Sequence, residues 1–311
     1  MKYGFGVDLG GTTVKIAFFD QEGTLLHKWE IPTVTEAGGS RILPDIAAAV
    51  LGYLEQKGYN REQILGIGIG VPGPVDSNGV VNKCVNLGWG VFNIAKELEE
   101  LTGFPVRAGN DANVAALGEY WKGGGQGCNS MIFATLGTGV GGGIIIDGKV
   151  LYGAHGAGAE IGHLILNRHE TEPCGCGNLG CAEYYCSATG IARMAAKKLE
   201  SCDTPSVLRS GELTAKAVFD AGKAGDALAQ EVLEQYYDCM GEFMGDLCTI
   251  INPEAVVLGG GVSKAGDVLL EGIQRYFGKY VFHACRNVNF SIAKLGNDAG
   301  AYGAFKLILD L

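Results

Sequence analysis

Proline is scarce, at 8 of 311 residues, and no low-complexity tail or linker breaks the chain. A basic excess is missing too. Lys+Arg is 24 against Asp+Glu at 34, a net charge of −10, which argues against nucleic acid as the main partner, since phosphate backbones bind basic faces. Nor is there a long apolar run. The N-terminus reaches Lys2 and then Asp8 without the apolar core of a signal peptide. The longest uncharged stretch, 123–146, carries nine glycines with Gln126, Asn129 and Ser130, a poor membrane span. No membrane partner is expected. Ten cysteines in a long chain without an export signal read as reduced thiols in the cytoplasm rather than as a disulfide scaffold.

Apolar residues, at 47%, exclude disorder as the main state and suffice for two domains or one large one. The outlier is glycine, 51 residues without a Gly-X-Y period. Strands are expected at 3–9, 13–19 and 24–31, joined by a Gly-Gly-Thr-Thr turn and by Asp20–Gly23. Ile42, Ile46, Ala49, Val50, Tyr53 and Leu54 fall at helical spacing and predict a helix over 40–57, with Pro44 in its first turn. A buried strand at 64–71, a helix at 93–101, a short strand at 106–108 and a helix at 112–121 follow. Gly123–Gly125 reads as a mobile loop. From Met131 the opening pattern recurs: strand 131–136, a Gly-Thr-Gly turn, strand 142–146, Asp147-Gly148 and strand 149–152. The duplication implies two related α/β domains facing a cleft. Beyond Ala188 the chain reads as mostly helical, with strands at 255–258 and 288–292.

Five motifs carry chemistry. In Asp8-Leu-Gly-Gly-Thr-Thr-Val-Lys15, Gly10 and Gly11 let backbone N–H groups approach an anion, Thr12 adds a hydroxyl, and Asp8 is placed to orient Mg²⁺ through water. A plain hairpin turn would use the same glycines. Leu136-Gly-Thr-Gly-Val-Gly-Gly-Gly143 repeats the device, and Leu258-Gly-Gly-Gly-Val262 offers bare backbone to a nucleotide. No Gly-Lys-Ser/Thr follows at Walker spacing, and no dinucleotide fingerprint is present. Gly109-Asn110-Asp111-Ala112-Asn113 lies between a strand and a helix. It is either a helix cap or a general base with an Asn orienting a substrate hydroxyl; a helix N-terminus lowers the pKa of such a base, which phosphoryl transfer tolerates.

The sharpest motif is Gly158-Ala-Glu160-Ile-Gly-His163 followed by Cys174-Gly-Cys176-Gly-Asn-Leu-Gly-Cys181-Ala-Glu183. His163, Cys174, Cys176 and Cys181 make a four-ligand tetrahedral Zn²⁺ set with no open position, hence a structural metal. Cys186 ranks below these three cysteines, and the other six read as small buried apolar residues. The second imidazole nitrogen of His163 is then available to a sugar hydroxyl. Glu160 and Glu183 bracket the loop and, with Asn110 and Asp111, supply acceptors for several vicinal hydroxyls.

These motifs, together with Gly68-Ile-Gly-Val-Pro-Gly-Pro-Val-Asp76 and Asn86-Leu-Gly-Trp89, resemble the ROK family of bacterial sugar kinases and repressors, in order from residue 6 to about 262. Among its branches the glucokinases are the most similar. The resemblance implies the actin-like ATPase (ribonuclease H-like) fold. A small α/β domain is expected over 1–112 plus 298–311, a large α/β domain over 113–297, a central cleft between them and a zinc loop at 163–183. It implies transfer of the ATP γ-phosphate to the 6-hydroxyl of glucose, with Asp111 as base. Gly73, Asn110, Glu160, His163 and Glu183 are implied around the sugar. Gly10, Gly11, Thr12, Thr138 and Gly139 are implied on the phosphates, Asp8 and Lys15 beside them, and Gly260 and Gly261 near adenosine. The family's repressors carry an N-terminal winged helix–turn–helix; with the first motif at residue 8, a chain without one is expected. A homodimer or homotetramer is expected from the family. The alternatives are another hexose or an N-acetylated amino sugar (fructose, mannose, allose, N-acetylglucosamine or N-acetylmannosamine) as substrate, polyphosphate as donor, or a non-catalytic sugar sensor.

Overall fold

The structure is a computed structural model in which residues 1–310 are described. The chain divides into two compact units: Met1–Gly127 with Gly143–Ala159 and Lys294–Leu311, and Cys128–Gly142 with Glu160–Ala293.

The first unit opens with β1 (Tyr3–Leu9), β2 (Thr13–Asp20) and β3 (Leu25–Pro32), an antiparallel meander. The turn α1 (Glu36–Gly39) and the helix α2 (Ile42–Lys57) lead to β4 (Ile64–Val71), which pairs parallel to β1. A hairpin of β5 (Val80–Cys84) and β6 (Trp89–Asn93) comes next, then α3 (Ile94–Thr102), β7 (Val106–Asn110) and α4 (Asp111–Lys122). The sheet order is β3-β2-β1-β4-β7. In the second half, β8 (Met131–Leu136), β9 (Val140–Ile146) and β10 (Lys149–Val150) repeat the meander. Helices α5 (Glu183–Cys186), α6 (Ala188–Ser201), α7 (Ala215–Lys223) and α8 (Ala227–Ile251) precede β11 (Ala255–Gly259), α9 (Asp267–Tyr280), β12 (Asn289–Ile292) and α10 (Ala299–Leu309). The second sheet runs β10-β9-β8-β11-β12, with β11 parallel to both β8 and β12. Strand for strand this is the order of the first sheet, so the duplication read in the sequence is structural. Both residues of the Asp147-Gly148 turn have positive φ, 50° and 73°, as a two-residue hairpin with right-handed strand twist requires.

The strand β4 shows how sequence places the layers. Successive side chains alternate faces, so Ile-Leu-Gly-Ile-Gly-Ile-Gly-Val gives one apolar face and one of bare backbone. Ile67, Ile69 and Val71 join Phe5, Val7 and the α2 residues Ile42, Ile46 and Val50 in one buried core. On the other face lies α10, so near that a Cβ on Gly68 would stand 1.6 Å from the Ala304 carbonyl oxygen. The crossing of α10 with α4 is as tight: a Cβ on Gly303 would stand 1.7 Å from the Val114 carbonyl oxygen. Phe305 of α10 then stacks on Phe19 of β2 with ring centroids 4.9 Å apart.

Gly123–Gly125 is not a mobile loop. The Glu119 carbonyl oxygen accepts from Gly123 N and Gly125 N, at 3.0 and 2.9 Å. The fully buried Glu119 carboxylate accepts from Gly124 N at 2.8 Å, and from Lys294 N and Leu295 N at 3.0 and 2.8 Å. The run is a helix stop folded back on a carboxylate that also holds the approach to α10. The hairpin β5–β6, unforeseen in the sequence, has only five residues per strand and an apolar side at Val81, Cys84 and Trp89. Among the described residues no helix is long and apolar enough to cross a membrane.

The crossings define a stability test. Gly303→Ala should lower the free energy of unfolding in urea by about 3 kcal/mol, at the upper end of overpacking costs. Gly278→Ala, in α9 with no atom within 4 Å of the added Cβ, should leave stability unchanged or raise it by up to about 1 kcal/mol through helix propensity.

Candidate active site and metal centre

In the first unit, β7 ends on Asn110, which caps α4. Its Oδ1 accepts from Ala112 N and Asn113 N at 3.0 and 3.1 Å, and its Nδ2 donates to the Gly73 carbonyl at 3.1 Å. Both lone pairs of the amide oxygen are thus engaged, and what Asn110 retains for a ligand is an N–H donor. This corrects its expected use as a hydroxyl acceptor. Asp111 is the first residue of α4, with Oδ1 2.8 Å from Ala112 N. Gly73, at φ 97°, packs beside Cys84. Burial pushes the Cys84 thiol up, and the Asp111 carboxylate adds to this. Gly73, Cys84, Asn110 and Asp111 are therefore gathered at one place, of which the sequence reading had missed Cys84.

At the end of β1, Asp8 receives Lys15 Nζ at 3.4 Å and lies against the first turn of α10, where a Cβ on Gly300 would be 2.7 Å from its Cγ. Burial pushes the Asp8 carboxyl above the usual range, with Lys15 opposing the shift. Lys15 also donates to the Asn297 carbonyl at 3.3 Å. In the adjoining turn the carbonyls of Gly10, Thr12 and Thr13 are occupied. Thr33 Oγ1 donates to Gly10 O at 2.7 Å and Thr33 N to Thr12 O at 2.9 Å, while Gly10 N donates to Thr13 O at 3.0 Å.

The second unit treats its glycine turn in the same way. Gly137 N donates to Gly139 O at 3.0 Å, Ala188 N to Gly137 O at 2.8 Å, and Thr189 Oγ1 to Thr138 O. Glu183 Oε2 accepts from Val140 N at 3.0 Å, and a Cβ on Gly139 would be 2.2 Å from that oxygen. Gly260, at φ 82°, is pressed on the backbone of Leu136, which puts the third glycine turn against the start of the second.

His163, Cys174, Cys176 and Cys181 have ligand atoms all within 4.8 Å of one another, the one such group among the described residues. His163 Nδ1 is buried with no hydrogen-bond partner, a state that a metal ion resolves. Cys176 Sγ and Cys181 Sγ are 3.6 Å apart, and Cys174 Sγ lies 3.5 Å from Glu183 Oε1. Burial, with the neighbouring sulfurs, pushes the Cys181 thiol up to about 12, whereas the backbone N–H of Asn178 lowers Cys176. A bound divalent cation reverses that penalty, because its charge stabilises thiolates. The donor set fits a tetrahedral metal. Cys186 is fully buried and stands outside the cluster. Of the remaining cysteines, Cys84, Cys248 and Cys285 are buried as expected, whereas Cys128, Cys202 and Cys239 are partly exposed. The outer turn of the loop is held to α5 by Tyr184 donating to Glu172 and by Tyr185 donating to Glu170.

A sequence model of the ROK family matches residues 4–310. The chain belongs to the ROK family. Over 309 residues the ROK chain is 44% identical to a glucokinase of Halalkalibacterium halodurans, covering 97% of this chain and 94% of that one. It superimposes on a ROK family glucokinase from Streptomyces griseus in complex with glucose and AMPPNP at a TM-score of 0.77, with 34% identity and 98% of each chain covered. The ROK hexokinase from Thermus thermophilus gives 0.80 at 33% identity, over 99% of this chain and all of that one. The doubled sheet order is that of the actin-like sugar-kinase fold, as expected from the motifs.

Freshly purified ROK chain should contain about one metal ion per molecule by elemental analysis. Cys176→Ser, at an exposed position, should lose that metal and lower the melting temperature, because metal binding contributes directly to folding stability. Metal-free protein that melts no lower than the metal-bound form would contradict a structural centre.

Proposed function

We propose that this ROK protein is an ATP-dependent glucokinase that transfers the γ-phosphoryl group to the 6-hydroxyl of glucose, releasing glucose 6-phosphate and ADP. The observation that carries this reading is the full-length likeness to a ROK glucokinase crystallised with glucose and AMPPNP. Supporting it are the two glycine turns, in which protein donors take up the carbonyl oxygens of Gly10 and Thr12 and those of Gly137, Thr138 and Gly139.

In this reading Asp111 accepts the proton of the 6-hydroxyl as the new O–P bond forms and the bond to ADP breaks. A loose phosphoryl transition state asks for orientation and a proton acceptor more than for a strong base, which suits a carboxylate at a helix N-terminus. Gly73, Asn110, Glu160, His163 and Glu183 surround the sugar, Asn110 as a donor. Gly10, Gly11, Thr12, Thr138 and Gly139 meet the phosphates through backbone N–H groups and the threonine hydroxyls, and Gly260 and Gly261 meet adenosine. Asp8, beside Lys15, would hold Mg²⁺, which would supply charge neutralisation on the phosphates. Zinc is the metal that a Cys₃His set selects. The bodies 1–112 with 298–311 and 113–297 and a homodimer or homotetramer belong to the same reading, on the family resemblance, and cytoplasmic placement belongs to it on the cysteine usage.

Replacing Asp111 by Ala should reduce kcat by about 10²-fold or more, the usual worth of a general base, and leave the Kd for glucose within about twofold. A coupled assay of ADP release measures the first and calorimetry the second. Turnover near that of the parent would remove Asp111 from the catalytic role.

A further inference from the structure

Two threonines outside the glycine motifs hold the glycine turns, and neither was singled out by sequence. Thr33 follows β3 and donates its hydroxyl to Gly10 O at 2.7 Å. Thr189 lies in the first turn of α6 and donates its hydroxyl to Thr138 O. The two belong to different units, different elements and different turns, yet each bonds the carbonyl that directly precedes a glycine, Gly11 or Gly139. That placement has a geometric consequence. In a planar trans peptide the C=O of one residue and the N–H of the next point in opposite directions. Anchoring Gly10 O therefore aims Gly11 N–H away from Thr33, and anchoring Thr138 O aims Gly139 N–H away from Thr189.

The anchors matter because glycine makes the alternative easy. A peptide followed by glycine rotates to the opposite orientation with little steric penalty, and the flipped plane would present a carbonyl oxygen where a phosphate is to bind. A Cβ on Gly11 would meet nothing within 4 Å, so the side-chain side of that position is open. At the second turn the anchoring is reinforced. Ala188 N, one of the unpaired donors of the first turn of α6, holds Gly137 O at 2.8 Å. Ser187 Oγ accepts from Gly190 N at 2.9 Å and keeps that helix end in place.

We propose that Thr33 and Thr189 are positioning residues for the nucleotide: their hydroxyls lock the peptide planes before Gly11 and Gly139 so that the N–H groups, not the carbonyls, face the phosphates. The inference rests on the glucokinase reading for the identity of the anion and adds two residues to it. Both act through the backbone of their neighbours and touch no substrate. They set how well phosphate is held and leave the sugar alone.

The test replaces each threonine by valine, which keeps the shape and removes the hydroxyl, and by serine, which keeps the hydroxyl. Melting temperatures establish folding, and alanine substitutes for valine should a valine variant fail to fold. Steady-state assays give the KM for ATP, the KM for glucose and kcat; calorimetry gives the Kd for ADP in the absence of sugar. Thr33→Val and Thr189→Val should each raise the KM for ATP and the Kd for ADP about three- to tenfold, the worth of one hydrogen bond. The KM for glucose should stay within about twofold, and the serine variants should return to the parent values. A valine variant with parental ADP affinity, a serine variant as weak as its valine counterpart, or an equal rise in the KM for glucose would overturn the assignment for that residue. A parent protein that binds ADP but phosphorylates no sugar would instead sink the glucokinase reading. The ADP measurements would still decide the role of the two hydroxyls.

Discussion

Where α10 crosses β4, nothing but glycine separates two stretches of main chain. A carbonyl of Ala304 occupies the space that a side chain on residue 68 would fill, and a carbonyl of Val114 does the same at residue 303. Backbone laid directly on backbone is the condition under which the first unit closes. It fixes α10 against the sheet, sets Gly300 beside Asp8, and fixes the distance of α4 from α10. The helix that begins with Asp111 is therefore located by two contacts with α10, one at Val114 in its own first turn and one at Gly118, where an added Cβ would stand 2.2 Å from the Ala299 carbonyl oxygen.

The same economy recurs at the ligand-facing turns, with the roles of donor and acceptor sorted. Carbonyl oxygens of residues 10, 12, 137, 138 and 139 are all taken up by protein donors, so the electronegative side of each turn is spent inside the protein. Glu183 extends this logic to the metal loop. One of its oxygens receives the Val140 N–H and the other lies beside Cys174. Metal cluster, glycine turn and the start of α5 thus share one carboxylate.

Much of this was legible in the residues. The Cys-Gly-Cys and later Cys spacing, with His163 upstream, singled out the four residues whose donor atoms the structure gathers within 4.8 Å of one another, because tetrahedral thiolate–imidazole chemistry leaves few other uses for such a loop. The repeated strand, glycine turn and hairpin disclosed the doubled sheet because side-chain alternation and turn residues are local signals. What escaped was long-range. Asn110 was read as a ligand acceptor, but which of Asn110 and Asp111 caps α4 depends on φ and ψ at the junction and on Gly73, 37 residues away. Gly123–Gly125 looked unconstrained because the carboxylate that fixes it also reaches Lys294 and Leu295. The hairpin β5–β6, with five residues per strand and no regular alternation of apolar and polar side chains, was too short to announce itself. Thr33 and Thr189 carry no motif of their own, since a hydroxyl that serves another segment's carbonyl has no sequence period.

Glu119 also has a bearing on the birth of the molecule. Its carboxylate waits for the N–H groups of residues 294 and 295, and the bare faces of Gly68 and Gly118 wait for α10. Those segments leave the ribosome after the rest of the first unit and after all of the second, at about 5–20 residues per second. Until they do, the part of the first sheet that α10 covers lacks that cover, and the Glu119 carboxylate lacks two of its donors. The second unit needs nothing beyond residue 293. The half of the protein made first is thus the half completed last.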